Sequence, residues 1–244
     1  MRRQLLAILL LVAAVVWAAP AGAQWYARGG FYNGWAADAG NELNDLGANG
    51  DVAAGDGIFS RLVTASEPAG SYIFKIAVSD WSTSYPGSDV PIQTTVDNQV
   101  IFFSLDTNAH GDGWYPDTNI VWSDALKQSS IWRLVGGAPE LGNWDPAAGP
   151  QAIFVDSFFD VFVEISLAGN YEYKWTANNE WGLQQLGLDG VGSNTLNVPL
   201  AVSTNGSIVQ FQYDPATGRG RHIDHGAPSP VQDRTWGAVK QLYR

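Results

Sequence analysis

Along most of the chain apolar and polar residues alternate one by one. Tyr72, Phe74, Ile76 and Val78 share one face of a segment. So do Phe159, Val161, Val163, Ile165 and Leu167, then Tyr171, Tyr173 and Trp175, then Val209, Phe211 and Tyr213, while Phe102 sits inside the apolar run 101–103. A period of two sends successive side chains to opposite faces of a pleated strand. The stretches between these segments, such as GANGDVAAGDG, YPGSD and ANNEWG, are made of Gly, Asn, Asp and Pro, the residues that tight turns demand. The body of the chain is expected to be all-β. Helical spacing occurs only in TWGAVKQLYR at the end, where Trp236, Val239 and Leu242 recur among Arg234, Lys240 and Arg244.

Two strand patterns repeat in order. SYIFKIAVSDW (71–81) and NYEYKWTANNEW (170–181) both run aromatic, any, aromatic, lysine, and both then reach an acid followed by tryptophan. Each is preceded by a strand leading to a tryptophan, in FYNGW and in ELGNW, and each is followed by a strand ending in aspartate, VIFFSLD and IVQFQYD. Such order points to duplication. Two units of about 90 residues with short strands and frequent turns suit immunoglobulin-like β-sandwiches. The expected organisation is a sandwich at 24–116, a linker at 117–130, a second sandwich at 131–214, and a tail at 215–244 containing the short amphipathic helix.

The N-terminus reads differently. Arg2 and Arg3 precede an apolar run at 5–19 and the small-residue pattern Ala21-Gly22-Ala23, which is the layout of a secretory signal peptide over 1–23. The apolar run is shorter than the roughly 20 residues a bilayer span needs. The mature chain is therefore expected to be secreted, periplasmic or at the cell surface. With 0 Cys it rests on cores and not on disulfides, and thiol catalysis is excluded. Without Arg2 and Arg3 it has 11 Lys+Arg against 24 Asp+Glu, a net charge of -13, which repels phosphate backbones and excludes nucleic acid as a partner.

Aromatic residues make up 12% of the chain and Trp alone numbers 11, so some indoles are expected to face a ligand. With Tyr171, Tyr173 and Trp175 on the core face, Lys174 points the other way, toward solvent. The turn after it presents Trp181 near the same sheet end. A half-exposed indole suits the C–H face of a sugar ring, with ammonium and amide groups at the rim for its hydroxyls.

The second unit resembles a starch-binding domain of carbohydrate-binding module family 20, through LGNW, YEYK, the following Trp and the Asn of SNTLNVP. The resemblance implies a platform of Trp144 and Trp181 with Lys174 and Asn194 as polar partners. The first unit is similar to pullulanase accessory and glycogen-binding-type domains, through FYNGW, GDVAAGDGIF and YIFK followed by SDW, and it implies the same roles for Trp35, Lys75 and Trp81. The ligand implied is an α-glucan or maltosaccharide. Other roles fit the same residues: Trp35 and Trp144 as caps on a sandwich edge, Trp81 and Trp181 as structural residues, Lys75 and Lys174 as edge charges that discourage strand pairing.

The Asp/Gly loop with Asp45, Asn49, Asp51 and Asp56 suits either calcium or tight turns, as does the loop around Asp112; it lacks the spacing of a helix–loop–helix calcium site. No metal and no cofactor is expected. His110, His222 and His225 read as surface residues, and no carboxylate pair stands out as a glycosidase would need. The sequence thus predicts a non-catalytic carbohydrate-binding protein. The rival reading is a structural or assembly protein of the cell envelope, in which the exposed aromatics and the C-terminal tail contact an envelope protein.

Overall fold

The computed structural model describes residues 23–182 and 184–228. The expected signal peptide, apart from its last residue, and the expected amphipathic helix of the tail lie outside the described residues.

Fifteen strands run β1 (Trp25–Gly29), β2 (Ile58–Thr64), β3 (Gly70–Val78), β4 (Ser84–Thr94), β5 (Val100–Asp106), β6 (Ile120–Ser123), β7 (Trp132–Gly136), β8 (Ile153–Val155), β9 (Phe158–Ile165), β10 (Gly169–Ala177), β11 (Gln185–Gly187), β12 (Gly190–Gly192), β13 (Val198–Val202), β14 (Ser207–Asp214) and β15 (Arg219–Asp224). The fold is all-β, and its strand pairs are antiparallel. In the first half, sheet β1-β3-β4 faces sheet β2-β5-β6. In the second, β12-β11-β10-β13, with β7 also on β10, faces β15-β14-β9-β8.

Alternation explains the layers. In β5, Ile101, Phe103 and Leu105 are fully buried, and Phe103 meets Phe74 of the opposite sheet edge to face at 4.8 Å. Tyr173 meets Phe211 at the same 4.8 Å in the second half, and Trp132 meets Tyr213 at 4.6 Å. Such edge-to-face pairs add about 0.5–1.5 kcal/mol each beyond the area they bury.

The registers of the two halves coincide. Lys75 pairs with Arg28 and Lys174 with Val135; the residues before them, Phe74 and Tyr173, pair with Gly29 and Gly136. On the other side, Ile73 pairs with Pro91 and Glu172 with Pro199. The two glycines answer one demand: a Cβ on Gly29 would lie 2.5 Å from the carbonyl oxygen of Ile73, and a Cβ on Gly136 2.5 Å from that of Glu172.

The expected boundaries need correction. β6 lies inside the segment expected to be a linker, 117–130, yet pairs with β5 and completes the first half. β15 lies inside the expected tail, 215–244, yet pairs with β14 along its length. The physical reason is in the contact between halves. Tyr115 sinks into the second half, where its hydroxyl accepts hydrogen bonds from Trp175 Nε1 (3.1 Å) and Tyr173 (3.0 Å), and its backbone exchanges two bonds with Gly220. Arg219 holds both carboxylate oxygens of Asp112, at 2.9 and 2.7 Å, and the carbonyls of Pro116 and Trp114. The connector is thus packed structure and not a flexible spacer, and one continuous core runs through both halves.

Candidate functional site

Each half builds a tryptophan pair from the same two pieces of chain. After β7 comes a 3-10 turn, Pro139–Trp144, in which Gly142, Asn143 and Trp144 all take left-handed φ values of 78°, 49° and 66°. After β1 the turn Asn33–Trp35 does likewise, at 46°, 59° and 70°. Glycine adopts this region freely, whereas a tryptophan there is a genuine outlier that costs on the order of 1–3 kcal/mol and persists only where the surroundings impose it. Trp81 is a third, at 64°. Three of the four paired tryptophans therefore hold strained backbone.

The second tryptophan of each pair follows the lysine strand. Asn178 and Asn179 turn the chain at left-handed φ, which asparagine tolerates, and both are pinned: Ser129 Oγ donates to Asn178 Oδ1 at 2.7 Å, and Arg133 Nε donates to Asn179 Oδ1. Trp181 then lies with its ring centre 6.4 Å from that of Trp144, the planes at 32°. Trp35 and Trp81 lie 5.9 Å apart at 47°. Both pairs are shallow V shapes, with Trp81 42% and Trp181 39% exposed and Trp35 and Trp144 half-buried.

The polar partners differ from expectation. Lys174 was expected in solvent but is only 8% exposed. It stands where β10 changes partner from β13 to β11, and the turn after β11 brings Asp189 toward its charge. Burial lowers its pKa, while Asp189 and Glu172 pull the other way. Lys75 is half-buried, donates to the carbonyl of Gly87 at 2.8 Å, and sits 3.7 Å from Asp89. Neither lysine guards an edge, because β3 and β10 have partners on both sides. Asn194 is exposed in the loop before β13. Gln185 Nε2 ties that loop to the Trp181 turn, donating to the carbonyls of Trp181 (3.0 Å) and Ser193 (2.8 Å).

Sequence reasoning missed Arg28. Its guanidinium carbon lies 3.8 Å from the centre of the Trp81 ring, and its nitrogens donate to the carbonyls of Trp35, Val78 and Ser79. Laying WYARGG over WRLVGG would have exposed it, since Val135 takes its place in the second half. Beside Trp144 the second half also has a groove of about 820 Å³ on the outer face of its sheet, lined by Gly137, Asn170, Glu172 and Pro199 among others.

The remaining acidic and imidazole groups have structural work. Asp45, Asp51 and Asp56 bring carboxylate oxygens within 4.8 Å of one another. Asp45 accepts the amides of Gly55, Asp56 and Gly57, Asp51 that of Gly47, and Asp56 that of Ile58, as tight turns require. Asp112 is held by Arg219, which lowers its carboxyl pKa to about 2. His110 contacts Asp106 at 2.9 Å, and His225 contacts Gln210 at 3.3 Å. His222 is half-buried and not a free surface residue: it lies on β15 with Nδ1 3.1 Å from the Tyr173 hydroxyl, and burial lowers its pKa.

Residues 34–112 match the family model of the pullulanase X25 domain, a carbohydrate-binding-like accessory domain. The match contains Trp35, Lys75 and Trp81 and ends before the second half, so the likeness of that half to family 20 has no such support. Among curated proteins none matches the sequence.

Proposed function

We propose that the chain is an exported, non-catalytic protein that binds starch- or glycogen-type α-glucan through two tandem immunoglobulin-like modules, each using a tryptophan pair as a stacking platform. The observation that carries this reading is the V of two indoles built twice on strained, left-handed backbone at matching register. A fold bears such strain where exposed flat rings serve a ligand. The accessory-domain match over the first half supports carbohydrate as the ligand class, and the family 20 resemblance of the second half extends it to maltosaccharides. By the same resemblances, Asn194 and Lys174 in the second half and Lys75 in the first would supply hydrogen bonds to sugar hydroxyls, with the exposed Asn194 the more accessible partner of the second half.

The two carboxylates that act on the Lys174 charge have structural partners, which supports a binding role for this region. Glu172 accepts from Asn197 Nδ2 at 2.8 Å, and Asp189 accepts the amide of Leu196 at 2.6 Å, so both serve as structural acceptors. Two modules on one chain raise the effective concentration of the second site toward the millimolar range, and avidity then exceeds either affinity by about a hundredfold or more. The test is migration of the mature protein in native gels with and without soluble starch, beside Trp181→Ala and Trp81→Ala. Retardation weakened by Trp181→Ala supports the reading; retardation unchanged from the unaltered protein in both variants, or no retardation of the unaltered protein, overturns it.

A further inference from the structure

The sheet β15-β14-β9-β8 packs one face into the core and turns the other outward. Register fixes which residues share that outer face. Phe162 lies opposite Gln210, and Gln210 opposite Ile223; Ile153 lies opposite Asp160, and Val155 opposite Phe158. Paired residues point to the same side of a sheet, so Ile153, Val155 and Phe162 stand together on the outside, where they are 65%, 43% and 54% exposed. An outward face of an antiparallel sheet ordinarily carries polar residues. Large apolar side chains gathered on one exposed face mark a contact surface.

The chain itself supplies a match. Residues 229–244 lie outside the described residues and follow shortly after β15, the strand at one edge of this sheet; Gly226 still accepts the amide of Ile208 on the neighbouring strand. From Gly226 the chain can reach up to about 33 Å by Trp236, whereas four strands spaced by about 4.8 Å span only about 14 Å. The sequence of the segment is complementary to the face: Trp236, Val239 and Leu242 recur every three positions, among Arg234, Lys240 and Arg244.

Charge favours the same contact. Of the 13 Lys+Arg and 24 Asp+Glu, Arg234, Lys240, Arg244 and Asp233 fall in 229–244 and Arg2 and Arg3 before residue 23, which leaves 8 against 23 in residues 23–228. A basic segment thus follows an acidic body. Asp160 and Glu164 place two of those carboxylates on the outer face, while Arg221, a cation of that face, is turned onto the ring of Trp114 at 4.5 Å.

We propose that this face is the docking site of segment 229–244 of the same chain, with Trp236, Val239 and Leu242 covering Phe162, Ile153 and Val155 and the basic residues turned toward Glu164 and Asp160. The segment then completes the second half and is not free to hold an envelope protein. This holds whatever the tryptophan pairs bind.

With 0 Cys in the chain, an introduced pair of thiols reports alone. In the chain from Gln24 to Arg244, Phe162→Cys with Val239→Cys is compared under mild oxidation with Leu62→Cys and Val239→Cys, Leu62 being 48% exposed on the outer face of the first half. The expected result is an intramolecular disulfide that forms about tenfold faster in the first pair and slows toward the second in high salt. Truncation after Pro228 is expected to raise the binding of an apolar fluorescent dye, and Phe162→Ser in the truncated chain to reverse the rise. Equal rates for the two pairs, dye binding unchanged by truncation, or a rise that Phe162→Ser leaves in place overturns the docking. Disulfides that link two molecules show that a second copy's segment occupies the face, and overturn the contact within one chain.

Discussion

Arg28 spreads its guanidinium over Trp81, 3.8 Å from the ring centre, at the register position that Val135 fills beside Lys174. A cation over an indole face gains roughly 0.5–2 kcal/mol and takes one of the two faces of Trp81, which keeps 42% of its surface exposed against 39% for Trp181. The register position of Arg28 holds the uncharged Val135 in the second half, so Trp181 has no such cation to compete with a sugar. Trp181→Ala is expected to weaken binding to soluble starch at least tenfold, about 1.4 kcal/mol, and Trp81→Ala by clearly less. Affinity electrophoresis over a series of starch concentrations measures both.

Trp144 supplies a test of stored strain. Its φ of 66° suits glycine and penalises every side chain. Trp144→Gly and Trp144→Ala both remove the platform, but Trp144→Gly is expected to be the more stable of the two, by about 1 kcal/mol. Chemical denaturation of the two variants checks the order; the reverse order removes the strain from the account.

The halves are expected to unfold together. Tyr115→Phe takes from the second half the buried acceptor for Trp175 Nε1 and one of two partners of the buried Tyr173 hydroxyl, which keeps His222 Nδ1. The cost is about 1–3 kcal/mol, visible as a fall of several degrees in Tm with a single transition retained. Two separated transitions in the unaltered protein would show independent modules.

Acid weakens the contact between the halves. Arg219 holds the Asp112 carboxyl at about 2 against an ordinary 3.8. A depressed carboxyl favours the fold fully above its unfolded value, and that contribution is lost as pH falls through the folded one. The difference in Tm between the unaltered protein and Asp112→Asn is therefore expected to shrink as pH falls from about 5 to about 2, most steeply below about 4. A difference constant over that range contradicts the role given to this pair.

Much of the fold was legible because a half-buried strand writes its burial into alternate residues. Phe74 and Ile76 show it, as do Val209, Phe211 and Tyr213, whereas in the apolar run 101–103 the reading centred on Phe102, which is the outward residue between buried Ile101 and Phe103. β15 did not, since RGRHID has no apolar alternation: Arg219 and Gly220 are buried by Asp112 and Tyr115, residues a hundred positions away. β6 is four residues long and sits among turn residues, too brief to register as a period. The tryptophan pairs were legible as a repeated motif. The burial of Lys174 was not, because alternation tells which face a side chain takes and nothing of what later covers that face, here the turn that carries Asp189. Arg28 was missed because its target, Trp81, lies on another loop altogether.

The central claim is that Trp144 and Trp181 form a sugar platform. Titration of maltoheptaose into the unaltered protein and into the Trp144→Gly, Trp181→Ala double variant, with Tm recorded for each, tests it most directly. The account predicts strong heat of binding in the first and only the weaker binding of the Trp35–Trp81 pair in the second, with both proteins folded. Equal binding by a folded double variant would contradict it.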